Sequence, residues 1–273
     1  MERPSIAVVT PLTGPRTAWG AVLLGEVDRA RAVCPDAADW HVHDETPGVA
    51  EDVAAAGHVA VVGHSDPLGT RRALPVYRAA GLPCLLPFVS AGPPALSWAP
   101  DEDALVRTVV EAAAALGAAE LSVARDAGPE WAALALRVEA AACRAGLARH
   151  QGAGPAVLAP QHRLSEFLRG AGPVLVPLDC GLASFETLAG ASTGRTGHQV
   201  WAVHPQMCAV RRARTAVAAL AQSLATGPAL RGASLADAVR SHSGALLTVG
   251  GGVLGDGWRV SRLGSVCPAR GGS

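Results

Sequence analysis

Three polar residues of different chemistry stand side by side at His64, Ser65 and Asp66, directly after an apolar stretch that ends at Gly63. An imidazole, a hydroxyl and a carboxylate can bind polar solutes or serve in acid–base catalysis. Neighbours in one loop cannot form a proton relay among themselves, so this cluster alone does not indicate catalysis. Its position after a buried strand predicts contact with a ligand; capping of the following backbone by Ser65 or Asp66 is the alternative.

Two glycine motifs match known signatures in the wrong context. Residues 190–194 fit GxSxG, but a nucleophile elbow needs a strand before the serine and a helix after it, and here a helical pattern precedes a loop. Residues 250–255 fit GxGxxG, but they lead into a turn and a strand, whereas a phosphate-binding loop opens a helix. We therefore predict a helix-terminating turn at the first motif and a loop between strands at the second.

Histidine and cysteine spacing gives little support to a metal site. His41 and His43 are two residues apart on a predicted strand and point to one face, and Asp44 follows them. A tight site uses three or four ligands, so a solvent-facing alternation is the favoured interpretation. The six cysteines occur singly, without a CxxC pair, and free thiols are expected. The sequence thus predicts no metal and no other cofactor.

Composition narrows the classes of partner. The chain has 273 residues, 49% hydrophobic and 17% charged, with zero formal net charge. Arginines and carboxylates are interspersed without a basic stripe, which argues against nucleic acid as a partner. No apolar run reaches the roughly 18 residues of a membrane span, so membrane insertion is not expected. No secretory signal is recognisable at the start, which predicts a cytoplasmic protein as written, or an extracytoplasmic one if its true start lies upstream or if the sequence is a mature form.

Short apolar runs alternate with helical patterns along the chain. Ile6–Val9 is typical of a buried strand, the following residues 18–33 of a helix, and Ala73–Ala80 of a later helix. This alternation occurs twice and predicts an α/β fold with two doubly wound parallel-sheet lobes and a cleft between them. We assign residues 1–116 and about 208–250 to lobe 1, residues 117–207 and about 251–267 to lobe 2, and residues 268–273 to a tail.

Several segments together resemble the branched-chain amino-acid binding family of type I periplasmic solute-binding proteins. Residues 6–20 read IAVVTPLTGPRTAWG, and they resemble the family's opening strand, its turn and an aromatic–glycine pair at the first helix. Residues 61–96 resemble its strand, glycine-rich turn, proline-containing helix and Ser/Thr loop. Residues 164–176 and 246–258 resemble a later helix–turn–strand and the closing strands. The resemblance implies a protein that closes two lobes around a small polar solute.

In the first lobe the resemblance assigns ligand-binding roles to several residues. Trp19 corresponds to an aromatic that lines the pocket, and Ser90 to a hydroxyl that holds the ligand's carboxylate. The loop from Gly63 to Thr70 corresponds to a further carboxylate-binding segment, in which we expect Ser65, Asp66 and Gly69 to contribute. Pro67 stands where the family has a serine in this loop, and proline supplies neither a hydroxyl nor an N–H.

The second-lobe assignments depart further from the family. Its aromatic residues fall near Trp131 and Cys180, and its acidic residue falls near His204. A neutral histidine is a poor partner for a ligand's ammonium group. The ligand is therefore open between an amino acid, a carboxylate, a polar aromatic and an amide.

The sequence thus predicts a solute-binding protein like those of ABC transporters, with an ABC permease or a regulatory protein as its partner. A cytoplasmic sensor on the same fold is the alternative, because no export signal is recognisable. An enzyme that recruited the cleft is a third, with His64, Asp66, Cys180 or His204 as acid–base candidates.

Overall fold

The computed structural model describes residues 2–149, 156–159, 164, 172–179, 182, 198–243 and 257–262. The chain divides into two compact units: unit 1 is Met1–Asp101 with Ala209–Asp256, and unit 2 is Glu102–Cys208 with Gly257–Ser273. Among the described residues, no helix combines the length and the apolar character needed to cross a bilayer. Both units are mixed α/β structures, as the alternating pattern predicts.

Unit 1 is a five-stranded parallel sheet covered by helices. Its strands are β1 (Ser5–Thr10), β2 (Asp39–Asp44), β3 (Ala60–Gly63), β4 (Cys84–Leu86) and β5 (Leu96–Ser97). Its helices are α1 (Thr17–Val33), α2 (Val49–Ala55), α3 (Pro67–Ala79), α6 (Ala209–Thr226) and α7 (Gly232–His242). The strand order is β2-β1-β3-β4-β5, and every adjacent pair is parallel.

The central strands of unit 1 are apolar on both faces because helices cover both. Along β1, Ile6 and Val8 pack in one core cluster, with residues of α1, α6 and α7. Ala7 and Val9 alternate with them and pack in a second cluster, with residues of α2 and α3. This period of two is what a strand between two helical layers requires.

Unit 2 contains a second sheet and two described helices. Its strands are β6 (Glu120–Leu121), β7 (Val123–Arg125), β8 (Ala148–Arg149), β9 (Ala156–Leu158), β10 (Gly172–Pro177), β11 (His198–Pro205) and β12 (Trp258–Arg262). Its helices are α4 (Glu102–Ala115) and α5 (Pro129–Arg144). The main sheet has the order β12-β11-β10-β9-β7, in which β12 is antiparallel to β11, and β6 pairs with β8 separately.

The start of the second unit and the start of one helix differ from the sequence prediction. Helix α4, which the predicted boundary at residue 116 places in lobe 1, packs within unit 2, where Leu105 and Val109 share a core cluster with Val138 of α5. Helix α3 begins at Pro67, and not at Ala73 as the apolar pattern suggested. Asp66 caps α3 and Pro67 occupies its first turn, two helix-start signals that outweigh the loop-like composition of this stretch.

Candidate functional site

The carboxyl edge of the unit 1 sheet brings the predicted first-lobe residues into one region. Strand β1 is parallel to β2 and β3, with Thr10 beside Asp44 and Val9 beside Gly63, so the segments that follow these strands leave the sheet at the same edge. This edge is where open α/β sheets bind ligands. Glu45 continues the pairing, because its N–H donates to the Thr10 carbonyl over 3.1 Å.

An unusual backbone turn follows β3. Gly63 has φ +136°, and a Cβ at this position would lie 1.9 Å from the carbonyl oxygen of Val9, so only glycine fits. The next residue, His64, also has a positive φ of 62°, which is uncommon for a residue with a side chain. Its N–H donates to the same Val9 oxygen over 2.8 Å. Together the two residues turn the chain sharply and direct residues 64–66 towards β2.

The Glu45 carboxylate accepts hydrogen bonds from four different groups in this turn. The backbone N–H of Ser65 lies 3.0 Å from both carboxylate oxygens, and the Ser65 hydroxyl donates to Oε2 over 2.8 Å. The N–H of Asp66 donates to Oε1 over 3.1 Å, and Nδ1 of His64 lies 3.0 Å from the same oxygen. Only 7% of the Glu45 side chain is exposed. A buried carboxylate is stable only with such a complete set of donors.

The charge on Glu45 is stabilised by these partners. Burial by itself raises the pKa of the Glu45 carboxyl, but the hydrogen bond and charge interaction with His64 and the bonds from Ser65 and Asp66 outweigh it, so the pKa lies below its ordinary value. His64 is 2% exposed, and its Nε2 lies 3.0 Å from the Tyr77 hydroxyl. Burial, together with the charges of Cys84, Glu45 and Glu51, raises the pKa of Tyr77. Both ring nitrogens of His64 are thus engaged within the protein, which suits a structural role better than proton transfer.

Asp66 caps helix α3, which agrees with the alternative prediction that Ser65 or Asp66 caps the backbone that follows. Its side chain accepts from the Gly69 N–H over 2.8 Å and forms an ion pair with Arg16. Burial raises the pKa of Asp66, but the hydrogen bond and charge of Arg16 and the bonds from Gly69 and Leu68 hold it below its ordinary value. The Ser65, Asp66 and Gly69 groups predicted to hold a ligand are therefore already hydrogen-bonded within unit 1.

Ser90 lies in the segment after β4, which is anchored from both sides. The Arg212 guanidinium of α6 is 1% exposed; it donates to the Pro87 carbonyl over 3.0 Å and lies 6.0 Å from the centre of the Phe88 ring. On the other side, the Ser97 hydroxyl accepts from the Ala91 N–H over 3.0 Å and lies 3.1 Å from the Ala91 carbonyl. Ser90 itself is half-buried. A hydroxyl on a segment fixed at both ends is well placed to bind a ligand with little loss of entropy.

Trp19 lies in the first turn of α1, close to the end of β1. Gly20, the next residue, approaches Pro11 so closely that a Cβ there would lie 2.2 Å from the Pro11 carbonyl oxygen. The first turn of α1 therefore lies directly against the segment that leaves β1. Trp19 is half-buried. Its role in a pocket stays a prediction, as does that of Ser90.

The second-lobe predictions fall on residues in different environments. Trp131 is half-buried near the start of α5, packs on the unit 2 core, and its Nε1 is buried without a hydrogen-bond partner among the described residues. His204 is 7% exposed; its Nδ1 lies 3.0 Å from the Pro205 carbonyl and its Nε2 3.1 Å from the Ser261 hydroxyl. A carbonyl only accepts, so Nδ1 carries a proton and a neutral ring accepts from Ser261 at Nε2. Cys180 lies outside the described residues, as do the GxSxG and GxGxxG motifs.

Three histidines of unit 1 lie close together. His43 Nε2 is 3.1 Å from His58 Nε2, His58 Nδ1 is 2.7 Å from the Ser5 hydroxyl, and the His41 and His58 ring centres are 5.4 Å apart. Burial and the neighbouring histidines lower the pKa values of His43 and His58, while the charge of Asp52 opposes this at His43. Within the described part of the chain, no three His, Cys, Asp or Glu side chains are arranged to hold a metal ion.

Three charged residues that organise this edge were not singled out from the sequence: Glu45, Arg16 and Arg212. Glu45 meets its partners across a separation of about 20 residues along the chain, and Arg212 meets Pro87 across 125. A signal was available only for Glu45, which comes two residues after the predicted strand that carries His41 and His43. Neighbouring parallel strands end at one edge, so a carboxylate there could have been placed beside the loop after β3.

The chain is similar in structure to several solved binding proteins. An ABC-transporter substrate-binding protein from Desulfitobacterium hafniense in complex with Leu matches at a TM-score of 0.70 and 16% identity, over 96% of this chain and 97% of that one. A leucine-binding protein from Thermotoga maritima matches at 0.63 and 13%, over 95% and 97%. A solute-binding protein of an ABC transporter from R. palustris in complex with 4-hydroxybenzoate matches at 0.54 and 10%, over 92% and 82%. No protein-family model and no curated protein sequence matches the chain.

Proposed function

Because the chain has the fold of the type I periplasmic binding proteins, we propose that it is a solute-binding protein for a small polar molecule and not an enzyme. The observation that carries this proposal is the structural likeness to a Leu-bound substrate-binding protein over 96% of the chain. The described groups support it. The acid–base candidates His64, Asp66 and His204 all have hydrogen-bond partners inside their own units.

On the unit 1 side we propose Trp19 and Ser90 as the principal ligand contacts. Both are half-buried, and both lie in segments that leave the carboxyl edge of the sheet, next to β1 and β4. A tryptophan ring and a hydroxyl at the same sheet edge offer an apolar wall and a polar group, the usual composition of a solute pocket. Trp131 is the corresponding proposal in unit 2. Capture between two lobes by hinge closure remains a prediction from the resemblance.

A thermal-shift screen followed by titration calorimetry tests the proposal. The panel contains amino acids, their amides, amines, aliphatic and aromatic carboxylates and polar aromatics. A ligand present at about 100 times its Kd stabilises the folded state by about 2.7 kcal/mol, which corresponds to a rise in melting temperature of roughly 5–10 °C. A panel in which no solute raises the melting temperature would speak against solute binding.

Two substitutions then locate the site. Ser90→Ala and Trp19→Ala should each weaken binding of the identified solute by about tenfold or more, because a hydrogen bond or a packed aromatic face is lost. Gln222→Ala, which truncates an exposed polar side chain of α6, is the matched control and should bind with unchanged affinity. Full affinity in both test variants would place the site elsewhere.

We further propose that the protein acts outside the cytoplasm and delivers its solute to an ABC permease. The support is that structurally similar proteins are components of ABC transporters. An alkaline phosphatase fusion to the gene, including the codons upstream of Met1, tests the location, since that enzyme becomes active only after export. An inactive fusion would favour the sensor alternative, in which a cytoplasmic regulatory protein is the partner.

A further inference from the structure

The Glu45 carboxylate is held in the way in which parallel α/β sheets hold a bound anion. Two successive backbone N–H groups, one hydroxyl and one imidazole converge on it, just before the first turn of α3 and at the carboxyl edge of the sheet. Donors in this arrangement ordinarily face a ligand carboxylate or phosphate. Here the anion is part of the chain itself.

A free anion would compete poorly for these donors. The Glu45 carboxylate is tethered to β2 by its own backbone, so its effective concentration at the donors greatly exceeds that of a dissolved solute. The charge around it also disfavours a second anion. Asp44 and Asp66 flank the same turn, Asp66 is paired with Arg16, and Asp44 Oδ1 accepts from the Leu12 N–H over 2.9 Å.

We propose that Glu45 is a specificity-determining residue that fills the anion-binding donors of the turn after β3, so that the solute recognised at this turn presents a neutral or cationic group and not a carboxylate. The first half of this statement concerns the chain alone, whereas the second half rests on the proposed solute-binding function. The two halves are therefore tested separately.

Chemical rescue tests the first half. Glu45→Ala removes one methylene and the carboxylate, which together have the shape of acetate, and leaves the donors of Ser65, Asp66 and His64 unpaired. Acetate should raise the melting temperature of this variant by about 2–4 °C relative to sodium chloride at equal ionic strength. The wild-type protein and Glu51→Ala, which truncates an exposed glutamate of α2, should show no such difference. An equal response in Glu45→Ala and Glu51→Ala would overturn the proposal.

Should Glu45→Ala fail to fold, Glu45→Gln provides a second test. It keeps the side-chain shape but loses the charge, so the donors of the turn face an amide that satisfies them incompletely. We expect its melting temperature to fall below that of Glu51→Gln. Equal melting temperatures would show that the four contacts do not depend on a carboxylate, and the proposal would fail.

Paired solutes test the second half on the wild-type protein. Leucine is compared with leucinamide, and 4-hydroxybenzoate with 4-hydroxybenzamide, by calorimetry. The carboxamide should bind about tenfold more tightly within at least one pair. Tighter binding of the carboxylate would refute the specificity claim and leave the solute-binding proposal standing. If neither these solutes nor the wider panel bind, the proposed function and the second half of this proposal both fail. Acetate rescue then still tests the first half, namely that the Glu45 carboxylate fills an anion-binding set of donors.

Discussion

The turn after β3 should be intolerant of any side chain at Gly63. In Gly63→Ala the new Cβ would lie 1.9 Å from the Val9 oxygen and 2.9 Å from the Val9 carbonyl carbon. The oxygen belongs to a central strand and must recede by about 1 Å before the contact becomes tolerable. The alanine would also have to adopt a φ near +136°, in a sparsely populated region of backbone conformation, which costs roughly 1–3 kcal/mol.

The expected loss of stability follows from these contacts. Separating β1 from β3 weakens the 2.8 Å bond from the His64 N–H to the Val9 oxygen and the neighbouring ladder bonds. At about 0.5–1.5 kcal/mol for each of two or three bonds, plus the backbone strain, Gly63→Ala should lose about 2–7 kcal/mol. That is a large part of the roughly 5–15 kcal/mol by which a protein is stable.

Gly81→Ala is the matched control. Gly81 also has a positive φ of 67°, but a Cβ there would meet no atom within 4 Å. This variant should lose only about 1 kcal/mol, the cost of the backbone conformation alone. Guanidinium chloride unfolding followed by tryptophan fluorescence measures both. Equal losses in the two variants would refute the steric argument at Gly63.

Three further predictions concern the charged groups of unit 1. Arg212→Met keeps much of the buried stem but leaves the Pro87 carbonyl without this donor, so its free energy of unfolding should fall by about 1–3 kcal/mol. Thermal unfolding measures this loss, and Arg211→Met, which changes an exposed arginine of the same helix, should leave the stability unchanged. Asp66→Ala should lose about 1 kcal/mol or more through the missing helix cap, measured by urea unfolding, and Asp66→Asn, which can still cap, should lose less. The pKa of Glu45 lies below its ordinary 4.5 in the folded state, so the unfolded chain takes up this proton first. The free energy of unfolding should therefore fall as the pH drops below 4.5 and through the pKa of Glu45 in the folded state. Glu45→Gln should lack this part of the decline. If its stability varies with pH as that of the wild-type protein does, the lowered pKa of Glu45 is contradicted.

Patterns that depend on neighbouring residues could be predicted well. The buried run Ile6–Val9 falls within the observed β1, because a strand between two helical layers must be apolar on both faces. The two-lobe α/β class followed from the same alternation. The apolar pattern placed the start of α3 too late, because the Pro and Gly in its first turn are typical of loops and interrupt the helical spacing of apolar residues.

The candidate site was only partly predictable, for a physical reason. Spacing along the chain can place Ser65 and Asp66 at the edge of a sheet, but it cannot show which group accepts their hydrogen bonds. That acceptor, Glu45, arrives from another strand, and Arg212 arrives from a helix that follows the first segment of unit 2, Glu102–Cys208. Such partners are fixed by strand order and register, which a single sequence does not contain.

Unit 1 is assembled from two stretches of chain, Met1–Asp101 and Ala209–Asp256, and this imposes an order on its biosynthesis. Leu220 and Leu224 of α6 share the core of Ile6, Leu23 and Val27, so that side of the nascent sheet is covered only in part, by α1, until α6 has left the ribosome. At synthesis rates of about 5–20 residues per second, the wait is on the order of ten seconds. During that time part of the apolar surface of Ile6, Val8 and Val62 is open to water, and we expect the growing chain to be prone to aggregation in this interval.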